Sequence, residues 1–329
     1  MKCFVTGGTG FLGRRVVERL RKDGHEVRVL ARDPRKAEAV EALGAEVVPG
    51  DLDDVAGFAS ALRGCDVVFH IGARAVSSGD WEQFVRTNVI ATDEILRRSW
   101  EAGVSRVVYV SSLGIFHIPR GGISIDETSE YDHHPLLRGH YTRSKIDADR
   151  IASAAGRAGK PVVVVRPGRI YGYDHPLGQP LYMGRVKKWI GSLLLIVIGK
   201  PSYPTPIAYV ENAADAIVLA GTKPGIEGRS FNVVDDPDLT HRRYFRALRG
   251  LDGCPKLVLH LPVGLFLPAV VAADLLHRLL RRRPWAVAYQ LRRSGRNARY
   301  LTDAAQRDLG WAPKVALEDA VRRTVEGRP

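Results

Sequence analysis

The stretch that decides the fold is "TGGTGFLG", residues 6–13, which directly follows the apolar run "KCFV". Gly7, Gly10 and Gly13 follow the spacing G-x-x-G-x-x-G. One glycine allows a tight turn, a second lets the backbone approach a pyrophosphate, and a third lets a helix pack closely on a sheet. The anion then lies on backbone N–H groups at the helix N-terminus. The stretch therefore predicts a strand, a turn and a helix that bind a dinucleotide.

The rest of the first half alternates apolar runs with segments of helical pattern. The runs predict strands over "KCFVTG", "EVRVLAR", "AEVVPGD", "CDVVFHIGA", "VSRVVYVSS" and "KPVVVVRPG". Helices are expected between them, over "PRKAEAVEALG", "VAGFASALRG" and about residues 10–22, 81–102 and 141–157. Apolar strands joined by helices form a parallel sheet that is covered on both faces. The predicted fold class is α/β, a doubly wound, Rossmann-type parallel sheet with a smaller C-terminal substrate lobe.

After Pro167 the alternation becomes irregular, and glycine and proline cluster in "PGRIYGYDHPLGQP". The later segment "TPIAYVENAADAIVLAG" has the pattern of a return to the main sheet. We therefore expect a dinucleotide-binding domain over residues 1–168, with a return segment at about 205–234. The substrate lobe and C-terminal region would comprise residues 169–204 and 235–329.

The net charge of +13 favours an anionic partner: a phosphate-bearing cofactor, an anionic substrate, a membrane surface or nucleic acid. Nucleic acid is not expected, because the sequence contains no basic motif with interleaved aromatic residues. Cys3, Cys65 and Cys254 are scattered, which argues against a disulfide framework or zinc site and suits a reducing cytoplasm. The N-terminus "MKCFVTGGTG" enters a strand at once, so we expect no signal peptide and a cytoplasmic protein.

The most apolar segment is "LPVGLFLPAVVAADLLHRLL", residues 261–280, which Pro268, Asp274 and His277 interrupt. A membrane-spanning helix needs about 20 mostly apolar residues with few or no charges. An amphipathic helix is the better interpretation. It either lines a substrate lobe or makes a peripheral membrane contact through residues 261–284, with "RRRP" at the headgroups of the inner face.

Within a dinucleotide fold, the stretch "YTRSK" points to chemistry, because Tyr141 and Lys145 share one face of a helix. An ammonium beside a phenol lowers the phenol's pKa, which suits a general base. Ser112 ends the strand "VVYVSS" at the carboxyl edge of the sheet, where ligands of such folds bind. Its hydroxyl is placed to hydrogen-bond the substrate oxygen that gains or loses a proton.

The second strand reports on the ribose of the cofactor. An acidic residue at its end takes the ribose hydroxyls of NAD, whereas an arginine accommodates the 2′-phosphate of NADP. In "VRVLARDP" Ala31 takes the acidic position, Arg32 follows, and Asp33 is placed to cap the next helix. We expect NADP to be preferred, with NAD as the alternative.

The motifs "TGGTGFLG", "YVSS" and "YTRSK", in this order, resemble the short-chain dehydrogenase/reductase superfamily, specifically its extended branch, over essentially the whole chain. "GDL" (50–52) and "HIGA" (70–73) match the branch's cofactor loops, and "NVIAT" resembles its N-V-x-G-T helix with Asn88 kept. "RPGRIYG" and the C-terminal "YLTDAAQRDLGWAPKVALEDAVRRT" also fit. The resemblance covers 3β-hydroxysteroid dehydrogenase-like and dihydroflavonol reductase-like enzymes.

What the resemblance implies is hydride transfer at carbon. Tyr141 would be the acid/base, Lys145 would tune it and bind ribose, and Ser112, favoured over Ser111, would orient the substrate. The implied cofactor contacts are Gly7, Thr9, Gly10, Phe11, Leu12, Gly13, Arg32, Asp51, Leu52, Gly72, Ala73, Asn88, Ser111, Tyr141, Lys145, Pro167 and Gly168.

Several reactions of the branch remain open. Dehydration is not expected, because Leu113 and Gly114 follow Ser112 where dehydratases place an Asp-Glu pair. The apolar 261–280 segment favours a hydrophobic alcohol or ketone, steroid-like or similar. Against this, Arg229, Arg296 and Arg299 are candidates to bind the diphosphate of a UDP-sugar in an epimerase. A non-catalytic cofactor-sensing regulator is a third reading, although such proteins usually lose Tyr or Lys.

Two further expectations complete the sequence reading. Members of the branch often form homodimers through the helices that carry "NVIAT" and "YTRSK", so the resemblance implies a dimer.

Three histidines, His117, His133 and His134, follow Ser112 in a polar loop, and no surrounding carboxylates suggest a metal site. We therefore interpret them as loop histidines and expect no bound metal.

Overall fold

The computed structural model describes residues 1–75, 79–174, 194–252, 254–279 and 287–328. Strands and helices alternate along the first half, as the sequence predicts. In chain order the strands are β1 Lys2–Thr6, β2 Glu26–Ala31, β3 Glu46–Pro49, β4 Val67–His70, β5 Arg106–Val110, β6 Ile123–Ile125, β7 Val162–Pro167, β8 Arg169–Tyr171, β9 Leu194–Ile198, β10 Ile207–Tyr209, β11 Ser230–Val233, β12 Leu257–Leu261 and β13 Ala298–Tyr300.

The helices cover both faces of the sheet and build the C-terminal part of the chain. They are α1 Phe11–Lys22, α2 Pro34–Glu41, α3 Val55–Phe58, α4 Trp81–Phe84, α5 Ala91–Glu101, α6 Gly139–Arg157, α7 Val210–Thr222, α8 His241–Ala247, α9 Val263–Leu279, α10 Val287–Ser294 and α11 Leu317–Glu326. Short 3₁₀ turns extend α3 over Ala59–Leu62 and precede α6 at Pro135–Leu137.

A parallel sheet of seven strands lies at the centre, in the order β11-β7-β5-β4-β1-β2-β3. Strands β4, β5 and β7 are buried along their whole length. Such apolar strands are stable only where helices cover both faces. The strand order reverses between β1 and β4, and ligands of open α/β sheets bind in the crevice at that point.

One face of the sheet packs against α1 and α7, and the other against α5 and α6. Alternate side chains of β1 show the division: Val5 belongs to the core under α1 and α7, whereas Phe4 belongs to the core under α5 and α6. Phe4 stacks on Phe58 with ring centroids 5.8 Å apart. The predicted doubly wound α/β class is confirmed.

Three smaller pairs of strands lie outside the main sheet: β8 with β10, β9 with β12, and β6 with β13. A separate apolar cluster joins the β8–β10 and β9–β12 pairs around the aromatic residues Tyr171, Tyr209 and Tyr244. Helix α7 packs on α1, and β11 extends the main sheet beside β7. The boundaries of the two predicted domains stay a prediction.

The helix predicted over 81–102 is not uniform. It runs as α4, then a π-helical turn at Val85–Ile90, then α5. The wider turn places Asn88 inward, where its side chain is buried. Periodicity of apolar residues cannot reveal such a turn, since π-helical turns occur mostly as local bulges at functional sites.

The helix predicted over 261–280 is partly wrong. Leu261 ends β12, which pairs with β9, and the helix begins at Val263. Pro262 between them has no N–H, so it ends the strand pairing and suits the start of a helix. The adjoining "RRRP" lies outside the described residues. None of the helices that the structure describes has the length and apolar character needed to cross a bilayer.

Candidate active site

The glycine loop between β1 and α1 leaves no room for a side chain at Gly7 or Gly13. Gly7 has a φ of +73°, and a Cβ there would lie 2.6 Å from the backbone of Gly72 after β4. A Cβ on Gly13 would overlap the carbonyl oxygen of Gly7. Helix α1 begins after Gly10, whose N-cap position supplies no side-chain hydrogen bond. The loop is thus shaped for a phosphate group that approaches the backbone.

A cavity of about 900 Å³ runs from this loop along the carboxyl ends of the strands. Nearly all the cofactor contacts predicted from the sequence line it, together with the three predicted catalytic residues. The lining includes Gly7, Thr9, Gly10, Phe11, Leu12, Gly13, Arg32, Asp51, Leu52, Gly72, Ala73, Ser111, Ser112, Tyr141, Lys145, Pro167 and Gly168.

Asn88 is the exception among the predicted contacts, all of which the structure describes, because it lies behind the cavity wall. Its Oδ1 accepts the Arg74 N–H at 2.7 Å, and its Nδ2 donates to the Arg74 carbonyl at 3.1 Å. Nδ2 also donates at 2.8 Å to Ser144, whose hydroxyl donates to the Tyr141 carbonyl. Direct cofactor contact by Asn88 stays a prediction; in this geometry Asn88 positions the loop after β4 and helix α6.

One end of the cavity has the features expected around an adenosine ribose. Ala31 ends β2, and Asp33 caps α2 by accepting the Arg35 N–H at 3.1 Å, as predicted. The Arg32 side chain is 77% exposed and lies 3.3 Å from Asp51. Lys36, which the sequence reading missed, lines the same cavity.

At the other end, Tyr141 and Lys145 lie in the first turns of α6. The Lys145 amine is buried, donates to the Val110 carbonyl at 2.7 Å and lies 4.5 Å from the centre of the Tyr109 ring. Burial lowers the pKa of Lys145 to about 7, an effect that the Asp149 carboxylate opposes. Asp149 is itself held by Arg166 at 2.7 Å.

The prediction that Lys145 lowers the pKa of Tyr141 is wrong. Burial raises the pKa of the Tyr141 phenol. Among the described residues, the amine is bonded to the Val110 carbonyl rather than to the phenol. The sequence spacing placed both groups on one face but could not show where the amine hydrogen-bonds.

Ser112 follows β5 at the start of a short 3₁₀ turn, and its hydroxyl accepts the Gly114 N–H at 3.2 Å. Ser111 is more deeply buried, at 4% exposure, while both serines line the cavity. The hydroxyl of Ser112 retains a proton to donate towards the cavity, as a substrate oxygen would require.

The acidic and histidine residues of the polar loop have structural roles. The Glu127 carboxylate accepts the Asn232 N–H at 2.8 Å, which ties the loop to β11. His117 stacks on His133 with centroids 3.9 Å apart, and His133 bonds Glu130. Across the described ranges, no three His, Cys, Asp or Glu side chains are grouped as metal ligands.

The sequence reading also missed polar residues beside Ser112. Arg138, immediately before α6, and Arg293, in α10, both line the cavity, as does Tyr300 of β13. Arg138 and Arg293 flank the buried carboxylate of Asp132. Because these residues are far apart in sequence, no spacing rule could bring them together.

Comparison with known proteins decides the family. Residues 3–233 match the family described as "NAD dependent epimerase/dehydratase family". The chain belongs to this family. The predicted resemblance to the extended short-chain dehydrogenases/reductases is confirmed.

Curated members of the family resemble this chain over most of its length. The 4-hydroxy-2-methyl-3-oxo-4-farnesyl-3,4-dihydroquinoline-1-oxide ketoreductase of Stigmatella aurantiaca is 30% identical over 98% of this chain and 96% of its own. The 2-alkyl-3-oxoalkanoate reductase of Stenotrophomonas maltophilia is 29% identical, with 98% of both chains covered. The decarboxylating sterol-4-alpha-carboxylate 3-dehydrogenase of Mus musculus is 26% identical over 99% of this chain and 90% of its own.

Solved structures agree on the fold. The crystal structure of gox2253 has a TM-score of 0.84 at 25% identity, with 99% of this chain and 97% of that chain covered. MoeE5 in complex with UDP-glucose and NAD has a TM-score of 0.70 at 21% identity, over 99% and 98%. With these relatives, the prediction of an NAD(P)-dependent oxidoreductase is confirmed. The glycine cradle and the lined cavity fit a nicotinamide dinucleotide.

Proposed function

We propose that this family member reduces a ketone, or oxidises the corresponding secondary alcohol, on a hydrophobic substrate. The observation that carries the proposal is the meeting of Ser112, Tyr141 and Lys145 with the glycine cradle in one cavity. The cradle holds a dinucleotide, and the three side chains supply what a carbonyl needs to exchange a proton. The names of the relatives support a keto or hydroxyl carbon as the reacting centre.

Each residue has a separate task in this chemistry. The glycine cradle would hold a nicotinamide dinucleotide, which would supply or accept the hydride. Tyr141 gives the proton of its phenol to the carbonyl oxygen during reduction, or takes it back during oxidation. Ser112 donates a hydrogen bond to the same oxygen and fixes its position. Lys145, protonated and freed from the Val110 carbonyl to contact a ribose, would stabilise the phenolate.

NADP is the proposed cofactor, and NAD is the alternative. The proposal is supported by Ala31 in the place of an acidic ribose ligand, and by Arg32 and Lys36 beside the cavity. With alanine in the acidic position of β2, the two cations suit a 2′-phosphate better than free ribose hydroxyls.

A UDP-sugar epimerase is the less supported alternative. The three arginines considered for a diphosphate are described by the structure and lie outside the cavity lining. Arg229 pairs with Asp308, Arg299 pairs with Asp238, and Arg296 donates to the Ile118 carbonyl. Solved UDP-sugar enzymes share the fold at identities below 25%, which says nothing about the substrate.

The remaining proposals concern surroundings and assembly. We propose a cytoplasmic homodimer that forms through α6 and the helical segment from Trp81 to Glu101, where Ile90 is 50% exposed.

We also propose peripheral membrane contact through α9, whose Leu265, Leu275 and Leu276 are all more than half exposed. A lipid surface would bring an apolar substrate to the active site.

Steady-state assays test the main proposal. The purified protein is mixed with NADP⁺ or NAD⁺ and hydroxysteroids, other secondary alcohols or UDP-sugars, and nicotinamide absorbance is followed. A hydrophobic alcohol should reduce the cofactor, and Tyr141→Phe should lower kcat about 10²- to 10⁴-fold. Tyr203→Phe, outside the cavity, is the matched control. Equal rates for Tyr141→Phe and wild type would refute the assigned role.

A further inference from the structure

A buried group of charges lies beside Ser112 and has no part in the mechanism above. Its centre is the carboxylate of Asp132, whose side chain is fully buried. Arg138 Nε lies 3.3 Å from Asp132 Oδ2, and Arg293 Nε lies 3.5 Å from the same oxygen. The other oxygen, Oδ1, accepts the hydroxyl of Tyr289 at 2.5 Å.

Both arginines are also fixed to the loop that follows Ser112. Arg138 Nη2 donates to the Gly114 carbonyl at 2.9 Å, and Arg293 Nη2 donates to the Phe116 carbonyl at 2.9 Å. These bonds use Nη2 of each guanidinium, whereas each Nε faces Asp132 as an ion pair without a hydrogen bond. Among the described residues Nη1 of each has no partner, although both side chains line the cavity.

The charges in this group do not balance. Two guanidinium groups share one carboxylate, and Asp132 is the only acidic residue in the described ranges that pairs with either. Only 10% of the Arg138 side chain and 13% of the Arg293 side chain are exposed. Burial and the neighbouring Arg293 lower the pKa of Arg138 to about 10. A buried surplus cation is costly unless an anion joins it.

The surplus charge is next to the proposed reacting centre. A Cβ built on Gly114 would lie 3.4 Å from the Ser112 hydroxyl and 3.8 Å from Arg138 Nη2. Ser112 and Arg138 therefore border the same space at the cavity wall. The phosphates of the cofactor belong at the glycine loop, so they would not supply the missing anion.

We propose that Arg138, assisted by Arg293, binds a carboxylate that the substrate carries close to its reacting carbon. The substrate class is then a 3-hydroxy or 3-oxo carboxylic acid with an apolar chain. An arginine binds a carboxylate with directed, charge-assisted hydrogen bonds, and the preformed contacts to Asp132 and the loop fix the guanidinium before the substrate arrives. This inference rests on the proposed function and deepens it.

The reaction balances without another reactant. During oxidation the carbinol carbon would lose its hydride to a nicotinamide bound in the cavity, the hydroxyl proton would pass to Tyr141, and the C–O single bond would become a carbonyl. The carboxylate is unchanged in this step, and Arg138 only holds it. Arg138 is therefore a specificity-determining residue, and its loss should raise KM for acids more than it lowers kcat.

The test compares a 2-alkyl-3-hydroxy acid with its methyl ester, in the oxidative direction and with the full-length protein. The acid should have a kcat/KM about 10- to 100-fold above that of the ester. In Arg138→Gln this advantage should disappear, because KM should rise more for the acid than for the ester. Arg293→Gln should reduce it less, and Arg138→Lys should restore part of it. Arg299→Gln is the control, because Arg299 forms an exposed ion pair with Asp238 outside this cavity.

Binding gives a second readout that does not depend on turnover. The corresponding 2-alkyl acid without the hydroxyl should bind wild type with cofactor present, and bind Arg138→Gln at least about tenfold more weakly. Equal kcat/KM for acid and ester, or an acid preference that survives Arg138→Gln, would overturn the inference while the proposed function stands. Failure to oxidise any secondary alcohol would instead refute the proposed function, and unaltered binding by Arg138→Gln would then refute the carboxylate site as well.

Discussion

At the scale of single residues, the side-chain amine of Lys145 has a pKa close to neutral pH. Its amine is buried, and burial lowers its pKa to about 7. In the unfolded chain the pKa of a lysine is about 10.4. Between these two values the unfolded chain binds more protons than the folded protein, so folding becomes more favourable as the pH rises.

The stability of the wild type should therefore rise relative to Lys145→Met between about pH 7 and about pH 10. Methionine fills a similar volume but has no amine to titrate. Urea unfolding of both proteins at several pH values measures the difference, which cancels other titrating groups. A constant difference across this range would mean that the amine is not desolvated as the structure indicates.

Arg32 and Lys36 are the two residues that we expect to select NADP over NAD. Replacing each with alanine should lower kcat/KM for NADP about tenfold, because one exposed, screened contact with the phosphate is lost. The kcat/KM of each variant for NAD should remain nearly the same as that of the wild type. Arg35→Ala is the control, since Arg35 is 90% exposed and outside the cavity lining. A parallel loss with both cofactors would show that neither cation recognises the 2′-phosphate.

At the scale of elements, the connection between the π-helical turn and α6 explains how two distant motifs act together. Asn88 joins the loop after β4 to Ser144, one turn along the helix that carries Tyr141. The motif "NVIAT" drew attention to Asn88, but its role depended on a turn geometry that the motif does not encode.

Asn88→Ala should cost about 2–4 kcal/mol of stability, because buried groups of Arg74 and Ser144 lose their partners. Chemical denaturation measures the free energy of unfolding. The control is Asn297→Ala, which should change stability by less than about 0.5 kcal/mol because Asn297 is exposed. Unchanged stability with strongly weakened cofactor binding would instead support direct cofactor contact by Asn88.

The elements around the cofactor were predictable because each depends on local sequence. The glycine spacing, the apolar strands and the i, i+4 pair of Tyr141 and Lys145 each report on one turn or one strand. The group of Asp132, Arg138 and Arg293 was not predictable, because three separate segments meet only in the folded chain. The bond from Lys145 to the Val110 carbonyl depends on tertiary packing in the same way.

At the scale of the whole molecule, the exposed leucines of α9 form an apolar surface in the C-terminal part of the chain. Replacing Leu265, Leu275 and Leu276 with serine should reduce co-sedimentation with vesicles of mixed anionic and zwitterionic lipid roughly tenfold or more. Leu136→Ser, a leucine that is 72% exposed outside this helix, is the control. Equal sedimentation of both variants and wild type would exclude α9 as the contact.

The division into a dinucleotide-binding domain, residues 1–168 with about 205–234, and a lobe over 169–204 and 235–329 stays a proposal. It is supported by β11, which extends the main sheet, and by α7, which packs on α1. The apolar cluster around Tyr171 and Tyr244 gives the later segments a core of their own.

The most direct test of the central claim follows the hydride itself. A hydrophobic ketone is incubated with NADPH deuterated at the transferred position, and the released product is examined by mass spectrometry. We predict one deuterium at the new carbinol carbon for each cofactor oxidised, and labelling about 10²- to 10⁴-fold slower with Tyr141→Phe. Epimerisation of a UDP-sugar without net cofactor oxidation, together with no labelled alcohol from any ketone, would contradict the account.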